Sequence, residues 1–237
     1  MVDMAYQPVD EPKPVADGVW VVDSVLGPGL PVRMTVIRLE SGDLLLHSPT
    51  RYSAALQTAI EALGPIRYLV APNTVHWVFV RAWRNALPGA EVFGAPGLRE
   101  RRQVKRAGLV IDDDLGDTPP PAWADDIEQV VVRGHFGFSE VAFLHRPSRT
   151  ALFTDLVQNF ESQKLPWLLC PLGRALGNVA PTGRAPAHLR ALVGHRSRDA
   201  ARRIVAWAPA LVLVTHGHPF ETDAAEKLRR SLAWLTG

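Results

Sequence analysis

The sequence has a single cysteine, Cys170, and it lacks any long run of apolar residues. With one thiol the chain cannot form an internal disulfide bond, which favours a reducing compartment. No stretch approaches the roughly 20 apolar residues that span a bilayer, and the acidic, proline-containing N-terminus lacks the apolar segment of a signal peptide. The sequence therefore predicts a cytoplasmic protein without a membrane partner.

An excess of charge of one sign is also missing. The formal net charge is +2 over 237 residues, which leaves little electrostatic footprint for a nucleic-acid partner. The basic run RERRQVKR at residues 99–106 is typical of a solvated helix surface. With 47% hydrophobic and 21% charged residues, the composition is that of a globular protein able to bury a core.

Turn signals divide the chain into alternating strands and helices. Residues 1–18 are predicted to be an extended leader, and residues 19–237 a single domain. The runs RMTVIRL and DLLLHS, separated by ESGD, predict a hairpin, and residues 127–156 predict a β-meander. Residues 158–188 are rich in Pro, Gly and Leu and predict a long irregular insertion loop, which is typical of lids and interaction surfaces.

Ligand-capable side chains follow several of the predicted strands, where the chain leaves the core. They are His76 in APNTVHW, His135 in VVVRGHFG, Asp155 in ALFTDL and His216 in LVTHGHP. Loops after strands gather functional sites in layered folds, and imidazole with carboxylate suits Zn, Fe or Mn. No two of these residues have a strong local metal spacing, so ordinary hydrogen-bonding roles stay open for each. Asn73 is likewise explained as the N-cap of a helix that runs to about residue 86.

The order of these motifs resembles the metallo-β-lactamase superfamily over roughly residues 18–236. Members have a four-layer αββα sandwich, and the resemblance implies this α/β (α+β) metallo-β-lactamase-like fold here. Their signature turn, Thr-His-x-His-x-Asp-His, aligns with NTVHWVF and keeps one of four ligand positions, His76. The other three positions hold Thr74, Val78 and Phe79, so the metal-binding motif is degenerate.

The later motifs match the superfamily better. The segment GHFGFSEVAFLHRPSRTALFTDL implies ligand positions at His135 and Asp155, and LVTHGHP implies a last ligand at His216. In DLLLHSPT, His47 stands where the superfamily has the Asp of an Asp-x-Gly strand end. The resemblance is closest to a branch whose members carry a domain of unknown function, with HSPT, APNTVHW, PSRTALFTDL and THGHP in this order. That branch has no established reaction, so the resemblance implies a fold and a degenerate site but no activity.

Two functional hypotheses stay open. In the first, the protein is a non-classical member of the fold, without metal, whose pocket binds a small molecule or a partner. The motive is the loss of three of the four ligand positions in the signature turn. The loop at residues 158–188 then serves as an interaction surface, which pairs across a two-fold axis in a homodimer.

In the second hypothesis, the protein is a mononuclear metal-dependent hydrolase acting on an ester, lactone or phosphodiester bond of a small-molecule substrate. The candidate ligands of one Zn, Fe or Mn ion are His76, His135, Asp155 and His216. The candidate catalytic residues are Asn73, Thr74, His76 and Asp155. Asn73 or Thr74 orients water or polarises a carbonyl, and Asp155 or a histidine acts as the base because Val78 cannot take a proton. Without ligands at Val78 and Phe79, a dinuclear mechanism is not expected.

Overall fold

Two β-sheets lie face to face at the centre of the protein, and helices cover the outer surface of each. The structure is a computed structural model that describes residues 6–27, 29–161, 180 and 183–237. Most of the predicted insertion loop, with Cys170, lies outside the described residues. Within the described residues, no helix has the length and apolar character needed to cross a membrane.

The first sheet has seven described strands that lie side by side in chain order. They are β1 (Pro12–Ala16), β2 (Val19–Leu26), β3 (Leu30–Arg38), β4 (Leu44–His47), β5 (Ile66–Ala71), β6 (Glu91–Gly94) and β7 (Asp113–Asp114). Strands β1 to β4 pair antiparallel and β4 to β7 pair parallel. The antiparallel pairing of β3 with β4 confirms the predicted hairpin. Part of the predicted leader forms β1 at the edge of this sheet.

The second sheet has four described strands in the order β11-β10-β9-β8. They are β8 (Ile127–Arg133), β9 (Ser139–His145), β10 (Thr150–Phe153) and β11 (Leu211–Val214). Strands β8, β9 and β10 pair antiparallel, which confirms the predicted β-meander. Strand β11 pairs parallel to β10, so the chain leaves both strands at the same edge of the sheet.

Six α-helices are described, three against each sheet. They are α1 (Ala54–Glu61), α2 (Val80–Ala86), α3 (Arg102–Ala107), α4 (Ala187–Val193), α5 (Arg198–Ala206) and α6 (Ala224–Thr236), with a 3-10 turn at Pro121–Trp123. The basic segment predicted as one helix forms α4 and α5, because Gly194 takes a positive φ of 57° that ends α4.

Three large clusters of buried side chains among the described residues define the architecture. One cluster joins the first sheet to α1, α2 and α3 through residues such as Leu46 and Trp83. A second lies between the sheets around Phe93 and Phe143. A third joins the second sheet to α4, α5 and α6 around Phe153 and Leu232. Helix, sheet, sheet and helix therefore follow one another, which confirms the predicted four-layer αββα sandwich.

The carboxyl ends of four parallel-paired strands meet at one edge of the sandwich. Strands β4 and β5 end there in the first sheet, and β10 and β11 end there in the second. Backbone hydrogen bonds tie the two sheets together at this edge, from Val141 N–H to Pro72 O at 2.7 Å and from Thr74 N–H to Ser139 O at 3.2 Å. Side chains that follow these strands are thus brought within contact distance of one another.

Candidate metal centre

Three of the candidate ligands converge at this edge: His76 after β5, Asp155 after β10 and His216 after β11. One ligand atom from each lies within 4.8 Å of the others. His76 Nε2 is 3.4 Å from Asp155 Oδ2 and 3.3 Å from His216 Nε2, and His216 Nε2 is 3.7 Å from Asp155 Oδ1. The three strand ends thus supply two imidazoles and one carboxylate to one point.

His76 is positioned by a turn that Asn73 closes. The Asn73 side-chain oxygen accepts hydrogen bonds from the backbone N–H groups of Val75 at 2.8 Å and of His76 at 2.6 Å. On the other side of the ring, His76 Nδ1 is 2.9 Å from Ser48 Oγ, just past the end of β4. Contacts from two adjacent strand ends therefore fix the direction of the imidazole.

Asp155 is held from both sides by amide groups. Asn73 Nδ2 donates to Asp155 Oδ2 at 2.7 Å, and Gln158 Nε2 donates to Asp155 Oδ1 at 2.8 Å. The turn that carries Asp155 is fixed by the fully buried Glu140, whose carboxylate accepts the N–H groups of Thr154, Asp155 and Leu156, each at 2.9 Å. The carboxylate of Asp155 thus has one orientation and keeps free lone pairs toward the histidines.

His216 is anchored through its other ring nitrogen. Its Nδ1 lies 3.0 Å from the carbonyl oxygen of Pro31, and a carbonyl only accepts, so Nδ1 carries the proton. A neutral His216 therefore presents the lone pair of Nε2 to His76 and Asp155. The ring of Phe160 stacks on it, with centroids 5.8 Å apart.

Burial and neighbouring charges set the protonation of the cluster. Burial lowers the pKa of His76, but Asp155 and Glu140 outweigh it and hold this pKa above its usual value. Burial raises the pKa of Asp155, but His76, His216 and the Asn73 amide outweigh it and hold that pKa far below its usual value. Burial and His76 lower the pKa of His216 to about 4. At neutral pH Asp155 is therefore ionised and His216 is neutral, while His76 holds a proton more tightly than a free imidazole does.

A cavity of about 390 Å³ opens directly onto the cluster. His76, Asp155 and His216 line it, together with the polar side chains of Ser48 and Gln158. The rest of its wall is mostly apolar and comes from the β2–β3 hairpin and from the turn after β5. The volume lies in the range of small-molecule pockets.

Comparison with known proteins agrees with this architecture. A family described as "Domain of unknown function (DUF4336)" matches residues 16–172, more than half of the chain. The chain belongs to the DUF4336 family. The predicted resemblance to a branch with a domain of unknown function is confirmed. A sequence search of curated proteins gives no match.

Solved structures similar to this DUF4336 protein include metallo-β-lactamases. One from Pontibacter korlensis has a TM-score of 0.66 and 15% identity, covering 96% of this chain and 99% of that one. One from Erythrobacter litoralis has a TM-score of 0.63 and 14% identity, with coverages of 94% and 96%. FIM-1 from Pseudomonas aeruginosa, in the mono-zinc form, has a TM-score of 0.55 and 17% identity, with coverages of 91% and 94%. At these identities the likeness shows the fold alone.

His135 does not join the cluster in this DUF4336 protein. Its backbone N–H donates to Leu192 O at 2.8 Å, and its ring nitrogen Nε2 lies beside Gly194 at the end of α4. The turn after β8 is thus tied to α4, and His135 is absent from the residues that line the cavity. The expected set of four ligands is therefore reduced to three.

The two other expected site residues lie behind the cavity. Asn73 is fully buried, and its side chain contacts Thr154, Asp155 and the backbone of its own turn. It does not cap α2, which begins at Val80, seven residues after Asn73. The Thr74 hydroxyl is buried without a hydrogen-bond partner among the described residues. Neither residue lines the cavity, so neither is placed to orient water or a substrate carbonyl there.

Several supporting residues were not identified by the sequence analysis. They are Ser48, Glu140, Gln158 and Arg33. Ser48 and Gln158 lie next to motifs already noted, since Ser48 begins the SPT of HSPT and Gln158 follows TDL by two residues. Glu140 and Arg33 sit inside strands, where a lone charged residue in the sequence gives no sign of its partner.

Proposed function

We propose that this protein binds small molecules in a pocket built on a mononuclear metal site, with His76, Asp155 and His216 as the ligands. The convergence of their three ligand atoms within 4.8 Å carries the proposal. Two imidazoles and one carboxylate form a donor set that suits Zn, Fe or Mn.

The distances between the donor atoms support a single ion. Two atoms bound at about 2.0–2.1 Å to a tetrahedral zinc ion lie roughly 3.3–3.4 Å apart. His76 Nε2 is 3.3 Å from His216 Nε2 and 3.4 Å from Asp155 Oδ2, and the other carboxylate oxygen, Asp155 Oδ1, is 3.7 Å from His216 Nε2. An ion bound between the two imidazoles would therefore have a carboxylate oxygen of Asp155 within reach.

The outer partners of the ligands also support the proposal. Metal-binding histidines usually donate their other ring N–H to an oxygen, and metal-binding carboxylates are usually hydrogen-bonded as well. His216 has the carbonyl of Pro31 in this role, and His76 has the hydroxyl of Ser48. Asp155 has the amides of Asn73 and Gln158. Because the pKa of His76 is raised, metal binding competes with protonation of this ring.

Hydrolysis is a second candidate, favoured by the position of the cavity. All three ligands lie on the cavity wall, so the space opposite them is open to a small molecule. A bound metal ion would supply a Lewis acid with an open coordination position. The chain itself supplies Asp155, which faces the cavity and is ionised at neutral pH. Because its pKa is held far below its usual value, Asp155 is suited to bind the ion and not to accept a proton. Ester or lactone bonds are the targets that we propose to test first.

The metal content of the purified protein tests the proposal. We expect about one Zn, Fe or Mn per chain by elemental analysis, or uptake of one equivalent by calorimetry. Asp155→Asn and His216→Ala should each lower metal affinity by at least tenfold, because each removes one of three ligands.

Two histidines of the same chain serve as matched controls. His135→Ala and His218→Ala should keep wild-type metal affinity, because neither side chain belongs to the group of converging ligands. The absence of metal uptake by the wild-type protein would refute the proposal. An equal loss of affinity in His135→Ala would show that the ligand set is a different one.

A further inference from the structure

We propose that the cavity binds a neutral carbonyl compound with an apolar chain, and that it discriminates against anions of the same size. The carbonyl end lies at His76, Asp155 and His216, and the chain lies along the apolar walls. The position of the carbonyl end rests on the proposed function. The preference for an apolar chain and against negative charge rests on the cavity walls alone.

Two structural elements supply the apolar walls. The β2–β3 hairpin contributes Leu26 and Leu30, and the turn after β5 contributes Val75, Val78 and Phe79. The ring of Phe160, stacked on His216, adds an apolar surface directly beside the cluster. The apolar chain of a ligand that extends from the cluster therefore contacts apolar side chains on both sides of the cavity.

Exposed apolar side chains are concentrated at this cavity. Of the eight large apolar side chains that are exposed among the described residues, four line it: Leu26, Leu30, Val75 and Val78. Val78 is 63% exposed and Val75 is 55% exposed. Scattered single apolar residues are normal on a protein surface, but a group that rims a pocket marks a binding site.

The basic side chains of the described lining are two histidines, His76 and His216, and both already contact Asp155. Asp155 is its only carboxylate, and no lysine or arginine is among the residues that line the cavity. Arg33 lies behind the site and is engaged by Asp23 at 2.8 Å and by two carbonyl groups. Arg51 is exposed, with its guanidinium 6.0 Å from the centre of the Phe79 ring, and it is not part of the lining.

Among the described residues, a negatively charged ligand would therefore enter beside Asp155 without an unpaired lysine or arginine in the lining to meet it. Taking a charge out of water is costly unless a partner or several hydrogen bonds replace the water. A neutral ester or lactone avoids this cost and still buries its chain. Of the bond types considered above, the walls therefore favour neutral carbonyl esters over phosphodiesters.

Binding of matched ester and acid series tests the inference. Methyl butanoate, methyl hexanoate and methyl octanoate are titrated by calorimetry into chelator-treated, metal-free protein, followed by the carboxylates of the same lengths. We expect the ester Kd to fall about two- to fourfold per added methylene until the chain fills the pocket. Each carboxylate should bind at least tenfold more weakly than its methyl ester.

Two pairs of variants with equal exposure serve as test and control. Val78→Lys places a charge in the apolar wall, and Val110→Lys places one at a site that is 62% exposed and outside the cavity lining. Leu30→Ser and Val15→Ser form a second pair, at 39% and 38% exposure. We expect Val78→Lys to weaken methyl octanoate binding at least tenfold. The ratio of the Kd of octanoate to the Kd of methyl octanoate should also become smaller. Leu30→Ser should weaken it about threefold or more, and both control variants should match the wild type.

The outcomes separate this inference from the metal proposal. An affinity that does not depend on chain length, or carboxylates that bind as tightly as esters, would overturn the inference even if the protein takes up one metal ion. Equal effects of Val78→Lys and Val110→Lys would overturn it as well. A clear chain-length dependence in a protein that takes up no metal would support the inference and refute the metal proposal instead.

Discussion

At the scale of the residue, the cluster depends on side chains that never reach the cavity. Asn73 uses both ends of its amide, one on Asp155 and the other on the turn that carries His76. Glu140 holds three consecutive backbone N–H groups at the turn that carries Asp155. Both residues are fully buried, so their hydrogen bonds have no water to replace them, and losing one leaves an unsatisfied group.

The variant Glu140→Gln tests this dependence. A glutamine keeps one acceptor oxygen and points an N–H group at a backbone N–H, so at least one of the three donors loses its partner. We expect the free energy of unfolding in urea to fall by about 1–3 kcal/mol. Glu91→Gln, at an exposed site in β6, is the control and should change stability by less than about 0.5 kcal/mol. A Glu140→Gln protein as stable as the wild type would contradict the role assigned to this carboxylate.

The errors of the sequence-based site prediction also arise at this scale. A ligand-type residue that follows a buried strand is visible in the sequence. This pattern was enough to predict His76, Asp155 and His216 as candidate ligands. His135 has the same signature, but its turn is tied to Leu192 of α4, and no local pattern reports a contact between residues so distant in the chain. Asn73 was expected to cap α2, whereas tertiary contacts with β9 and β10 direct its amide to Asp155.

At the scale of the element, the β2–β3 hairpin connects the first sheet to the loop that carries His216. The guanidinium of Arg33 in β3 donates to the carbonyl oxygens of Val214 at 3.0 Å and Gly217 at 2.8 Å, on either side of His216. The same side chain pairs with Asp23 of β2, which also pairs with Lys13 of β1 at 2.7 Å. Three strands of the first sheet thus hold one loop of the second.

Arg33→Met is the variant that tests this connection. It removes a hydrogen-bond donor from two carbonyl groups and one partner from a buried carboxylate, so we expect a loss of about 3–5 kcal/mol in the free energy of unfolding. If His216 is a metal ligand, metal affinity should also fall about 10–100-fold because an outer support of that ligand is lost. The stability and metal affinity of Arg33→Lys should lie between those of the wild type and Arg33→Met, because an ammonium group keeps the charge but not the planar arrangement of donors.

A matched arginine on the same strand gives the control for both measurements. Arg38 is exposed, with its guanidinium 5.2 Å from the centre of the Trp20 ring. Arg38→Met should change the free energy of unfolding by less than about 1 kcal/mol, and it should leave metal affinity unchanged. If Arg33→Met lowers stability but binds metal as the wild type does, Arg33 supports the fold and not the ligand loop.

At the scale of the whole molecule, the fold was predictable to a greater extent than the site. The four layers follow from strands and helices whose apolar residues recur with the period of each element, and from motifs whose order matches a known superfamily. The edge strand β1 and the division of the basic segment into α4 and α5 were missed, because both depend on where the chain packs. The core between the sheets also contains a polar residue, His47, whose sequence position at the end of β4 suggested a site role.

The burial of His47 between the sheets predicts a pH dependence of the stability of the whole fold. Burial, with a smaller effect of His76, lowers the pKa of His47 from 6.5 to about 3. Between these values the unfolded chain binds a proton that the folded protein does not, so stability is complete above pH 6.5 and falls as the pH decreases toward 3. This residue contributes up to about 1.4 kcal/mol per pH unit. His47→Met removes the titrating group, and urea unfolding from pH 7.5 to 4.5 should therefore show a shallower decline. The stability of the His47→Met variant at pH 7.5 reports the change in packing alone, because the wild-type imidazole is neutral at this pH in both the folded and the unfolded state. Parallel curves for the two proteins would show that His47 does not stay neutral in the folded core.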